Sequence, residues 1–189
     1  MRRIVALSVV SALLVACSDG PSSPTAVNPP APSATAQVGG AWSGTTTVTG
    51  VTYSSDWWGY GDDSTCLKEI PTIRAGTSAV LRASLSQDGT QVEGTLTLAS
   101  GTIVQLQGTI HGPQLSFDFV EPLPEVEVAC ADGSRHRLRL ASGGGRAQVD
   151  ASSAALLNGS QNLTYAVVRP NDPSTSGRLD LNLTLTLAR

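Results

Sequence analysis

The chain is poor in the residues that most often carry chemistry. Its 189 residues include two His, three Cys and one Met, and aromatic residues make up 4%. So few His leave little material for a metal centre or for proton transfer by imidazole. Charge is sparse as well, at 14% of residues, and its balance is acidic, with 12 Lys and Arg against 15 Asp and Glu. No basic stripe runs through the sequence, so a nucleic-acid partner is not expected. None of G-x-S-x-G, H-E-x-x-H or a phosphate-cradling Gly-rich loop is present. His111 precedes the Gly112-Pro113 turn and His136 lies between Arg135 and Arg137, neither inside a catalytic motif. The chain is therefore not expected to be an enzyme, and no cofactor or metal is expected.

Gly (19) and Pro (11) are frequent. With abundant Thr, Ser, Val and Leu, they suit short strands and tight turns better than long helices. The length favours one domain.

The one long apolar run opens the chain. Residues 1–17 read MRRIVALSVVSALLVAC. Arg2 and Arg3 precede an apolar stretch, Ile4 to Val15, of about 12 residues, the length of a signal-peptide core. A membrane-spanning helix needs roughly 20. Leu14-Val15-Ala16-Cys17 resembles the bacterial lipobox. The resemblance implies that residues 1–16 are removed and that Cys17 becomes a lipidated N-terminus. Lipid carbons contribute about 0.8 kcal/mol per buried CH₂, so several acyl chains anchor stably. Removal of Arg2 and Arg3 leaves 10 basic and 15 acidic residues, a net charge of −5. Ser18 follows the cysteine, where Asp tends to retain such lipoproteins on the inner membrane. The resemblance thus implies a protein of the cell envelope, on the outer rather than the inner membrane, with its domain in the periplasm or at the cell surface.

Residues 17–38 form the next unit, the cysteine and a Pro/Ser/Ala-rich stretch with no apolar period. Such a segment buries too little to offset its ordering entropy and is expected to act as a disordered tether.

From residue 39 to 189 the period is two. Leu179, Leu181, Leu183, Leu185 and Leu187 alternate with Asp180, Asn182, Thr184 and Thr186. One face then enters a core and the other faces water. Similar alternation runs through 79–85, 92–98, 104–110, 115–119, 126–128, 138–140 and 161–168. Asp88-Gly89, Ser100-Gly101, Gly112-Pro113 and Asp132-Gly133 punctuate these runs as turns. The pattern predicts an all-β antiparallel up-and-down meander of about 8–10 strands. Ser142-Gly143-Gly144-Gly145 reads as a loop, residues 151–157 as a helical turn or irregular strand, and residues 171–177 as a loop.

A meander of this size leaves exposed edges unless it closes. Gly40-Ala41-Trp42 resembles the G-x-W opening of lipocalin-like barrels, and Gly94-Thr95-Leu96 and Gly108-Thr109-Ile110 are similar to strands of small bacterial members. The resemblance implies a closed barrel with Trp42 packed under one end, and an open β-sandwich is the alternative for the same strands.

With Cys17 assigned to lipid, Cys66 and Cys130 remain, and an oxidising compartment favours a disulfide between them. The long segment Tyr53 to Gly76 holds Trp57, Trp58 and Tyr60 beside Asp56, Asp62 and Asp63. Aromatics next to carboxylates suit a sugar or amphipathic ligand, and the same segment could instead be a lid stapled by Cys66. Asp118 and Glu127 could meet across neighbouring strands. Two functions are open. One is a membrane-anchored, monomeric binding module for a small apolar or amphipathic ligand contacted by Trp57, Trp58 and Tyr60. The other is a structural or protein-interaction lipoprotein with a filled barrel. Inward Ala79, Ala83, Gly94 and Gly108 are small enough to leave a cavity or to taper the barrel.

Overall fold

A computed structural model describes residues 34–54, 73–98, 100–129, 133, 135–150, 152–169 and 172–189. Nine strands occupy them: β1 (Gly40–Ser54), β2 (Ser78–Asp88), β3 (Gln91–Thr97), β4 (Ile103–His111), β5 (Gln114–Val120), β6 (Glu125–Ala129), β7 (Arg135–Val149), β8 (Leu156–Arg169) and β9 (Asp172–Ala188). No α-helix is found among the described residues. The all-β antiparallel meander expected from the alternation is what forms. The turn glycines have the backbone their turns need: Gly89, Gly101, Gly112 and Gly133 all take positive φ.

Strand order is β5-β4-β3-β2-β1-β9-β8-β7-β6, with an added pairing of β5 to β7. That pairing closes eight strands into a barrel and leaves β6 outside the ring. β7 is long enough for two partners end to end. Arg135 to Arg139 pair with β6, and Gly144 to Gln148 pair with β5.

The alternation sets which face is inside. Leu179, Leu181, Leu183, Leu185 and Leu187 are all buried, while Asn182, Thr184 and Thr186 are exposed. The outer faces of β1 and β8 are likewise polar, with Thr45, Asn158, Ser160 and Asn162. A lipid-facing barrel would show the reverse pattern. The core is therefore the barrel interior.

The strands are strongly tilted. From Gln87 the paired residues run through Val92, Gly108, Phe117, Gly145, Gln161 and Leu183 to Val48. Val48 then hydrogen-bonds to Thr77 at the base of β2, not to Gln87. One circuit thus shifts from residue 87 to residue 77. A stagger of this size over eight strands corresponds to a tilt of about 40°.

Three local readings of the sequence change. Ser142 to Gly145 are not a loop but the middle of β7. Gly143 and Gly145 lie under aromatic rings: a Cβ on Gly143 would come 2.5 Å from Phe119, and one on Gly145 would come 2.8 Å from Phe117. The only two Phe of the chain fill the space these glycines leave. Residues 172–177 are not a loop either, because β9 begins at Asp172 and extends the hairpin with β8 past two register shifts. Asp118 and Glu127 do not meet. Asp118 lies opposite Gly144 and Glu127 opposite Arg137, well apart along β7.

Candidate functional site

The two ends of the barrel differ. At one end residues 36–39 cross the opening. Val38 is fully buried, and its N–H donates to Gln87 Oε1 at 2.7 Å. Gln87 Nε2 donates to the carbonyls of Ala36 and Gly89, and Ala36 N–H donates to Gly112 O. The packed unit thus starts ahead of Gly39. Trp42 lies beneath this strap, 2% exposed, with Nε1 donating to Val38 O at 2.7 Å. Arg189 covers the ring at 4.6 Å and donates to the carbonyls of Gln37 and Gly39. This end is sealed.

At the other end β1 stops at Ser54, β5 at Val120 and β8 at Arg169, and β7 begins at Arg135. The connection from Ser54 to Ile73 and the one from Ala129 to Arg135 both start there. They carry the expected ligand residues Trp57, Trp58 and Tyr60 and the expected disulfide pair Cys66 and Cys130, which lie outside the described residues, as does Cys17.

Between the ends the interior is largely apolar, and Gln161 is one of three buried polar side chains among the described residues, with Thr46 and His136. It occupies an inward position on β8, between Gly159 and Leu163, and is 1% exposed. Its register neighbours on the inner wall are Leu183 on β9 and Gly145 on β7, with Val48 and Phe117 one strand further. Among the described residues Gln161 Oε1 has no hydrogen-bond partner. A buried acceptor left bare costs about 1–3 kcal/mol. The nearest polar inward groups are Thr46 on β1 and Tyr165 on β8. Thr46 already donates to Thr184 O at 3.0 Å.

From Gln161 toward the end where β1 and β8 stop, the wall is Val51, Leu181 and Leu163, then Tyr53, Leu179, Tyr165 and Leu140. Burial pushes the Tyr165 phenol up to about 12. His136 is buried on β7 farther along. No group of three or more His, Cys, Asp or Glu placed to hold a metal is found among the described residues.

The inward glycines do not hollow the barrel. A Cβ on Gly94 would overlap the Ser84 carbonyl, and one on Gly108 would overlap the Ser116 carbonyl. At both places the neighbouring backbone occupies the side-chain position.

Gln161 was not singled out from the sequence, although its signal was there. Residues 157, 159, 161, 163, 165 and 167 read Leu, Gly, Gln, Leu, Tyr, Val, and a long polar side chain on an apolar face is the anomaly to ask about. Comparison with known protein families, with curated proteins and with solved structures returned no match.

Proposed function

We propose that the protein is a lipid-anchored component of the bacterial cell envelope, held by acylated Cys17, whose barrel binds a small apolar or amphipathic ligand. The observation that carries the binding half is Gln161 Oε1, a desolvated acceptor without a partner in an apolar interior. A ligand that donates to it recovers the cost of its burial. The sealed end at Trp42 and Arg189 leaves the opposite end as the entrance. Trp57, Trp58 and Tyr60 belong to a connection that starts there, and their rings would contact the exposed part of a ligand. A Cys66–Cys130 disulfide would join two connections that leave the same end.

A filled barrel serving as a structural or protein-interaction module is the second reading. It is favoured by Gly94 and Gly108, whose missing side chains are replaced by backbone, not by space.

Mass spectrometry of the protein purified from its own host tests both. The intact mass of the wild-type chain is expected to carry acyl groups, and these should vanish in Cys17→Ser. Native spectra of the mature chain carrying Cys17→Ser, exported behind an ordinary cleavable leader, are expected to show a non-covalent adduct at one per chain. An unacylated wild-type chain overturns the anchor. Absence of any adduct across independent preparations favours the filled barrel.

A further inference from the structure

We infer that the barrel interior is selective for an uncharged amphipathic molecule that carries a hydroxyl or amide N–H, received deep inside by Gln161 Oε1. The inference rests on the reading of the barrel as a binding module and specifies the chemistry it takes.

The bare atom is an acceptor, so its partner must be a donor. A carboxylate, phosphate or ether brings only acceptors and would leave Oε1 as it is. An ionised ligand meets a second obstacle, because no ionisable side chain stands on the ring around Gln161, whose members are Val48, Leu183, Gly145, Phe117, Gly108 and Val92. Arg74, Arg82, Arg135, Arg139, Arg146 and Arg178 are exposed, Arg137 is paired with Glu125, and Arg189 is engaged at the sealed end. The buried base His136 is nine residues before Gly145 on β7, about 30 Å along the strand. A buried charge at Gln161 would find no counter-ion among the described residues and would cost far more than one hydrogen bond returns.

The rest of the ligand is defined by what lies between Gln161 and the entrance. Leu163, Leu181, Val51 and Leu179 form an apolar wall that ends at the Tyr165 phenol. Gln161 and Tyr165 are four positions apart on β8, about 13 Å along the strand. An apolar body of about 13 Å, with its donor leading, spans that wall.

The test uses three probes of one chain length, 1-dodecanol, its methyl ether and dodecanoate, titrated into the mature Cys17→Ser chain by calorimetry. Dodecanol is expected to bind about tenfold more tightly than the ether, the ratio one recovered hydrogen bond supplies, and dodecanoate more weakly than either. In Gln161→Leu the alcohol is expected to fall to the level of the ether, with ether binding unchanged. Gln161→Met repeats the test with an unbranched side chain of the same length. Equal binding of alcohol and ether by the wild-type chain, or an alcohol preference that survives both substitutions, overturns the role of Gln161 and leaves the binding module standing. Preferred binding of dodecanoate overturns the exclusion of charge. No binding of any probe by chain that is folded by circular dichroism overturns both readings.

Discussion

The Arg189 guanidinium lies 4.6 Å over the ring of Trp42, so the last residue of the chain covers the first large side chain of β1. The same guanidinium donates to Gln37 O and Gly39 O, and Trp42 Nε1 donates to Val38 O. The two residues together fasten the strap that seals one end. Arg189→Ala removes the cation–π contact and both hydrogen bonds, and a loss of about 1–2 kcal/mol is expected. Trp42→Phe keeps most of the apolar area but leaves Val38 O bare, at a cost of about 1–3 kcal/mol. Urea midpoints should fall with an unchanged slope in both variants, and a changed slope would mean that the barrel itself had loosened.

Burial governs the alkaline limit. The Tyr165 phenol titrates at about 12 in the folded protein against 10.0 when free. Its folded value is the higher one, so its contribution to stability is complete below about pH 10 and is lost as pH rises toward 12. Tyr165→Phe should flatten that decline. Tyrosinate absorbance of the native wild-type chain should show a step near pH 12, and that step should be missing in the variant.

The acid limit has other causes. Asp150 caps the turn between β7 and β8. Its carboxylate accepts from the Ser152 hydroxyl, then the Ser152 N–H, then the Ser153 N–H, and these bonds hold its pKa below the ordinary 3.8. Asp180 is lowered chiefly by its hydrogen bonds from Arg178, with Thr164 adding a further one. Both folded values are depressed, so the stability they contribute is present above pH 3.8 and is lost as pH falls through the lowered values. Asp150→Asn and Asp180→Asn should each make the acid branch of a midpoint-against-pH curve shallower. Unaltered curves would show that the acid limit lies elsewhere.

How far the fold could be read in advance depended on the kind of information each feature needs. The leucines of β9 and the turn glycines announce themselves locally, through period and φ. Closure of β5 on β7 is not local. It depends on β7 offering one half of its length to β6 and the other to β5, which alternation alone does not encode. Ser142 to Gly145 misled because three consecutive glycines lack side chains of their own to declare a strand. Their covering residues, Phe117 and Phe119, are supplied by β5. Gln161 was legible only once its face was known, since a glutamine becomes anomalous through the burial of its neighbours.

The glycine stripe of β7 yields the sharpest packing test, because its two covered glycines meet different kinds of neighbour. The atoms nearest to a Cβ on Gly143 belong to side chains, Phe119 at 2.5 Å and Leu163 at 3.1 Å. A Cβ on Gly145 would meet the Phe117 ring at 2.8 Å and would also overlap the Ser160 backbone carbonyl. Both Gly→Ala changes are expected to destabilise, by about 1–3 kcal/mol from overpacking. A loss of chain entropy in the unfolded state offsets this by about 0.4–1 kcal/mol. Phe119→Leu should rescue Gly143→Ala, giving a double-mutant coupling of at least about 1 kcal/mol. Phe117→Leu should not rescue Gly145→Ala to the same degree, because the Ser160 carbonyl does not move with the ring. Equal rescue at both positions in thermal or urea unfolding would mean that the β7 backbone yields freely, and that the rings do not hold it in place.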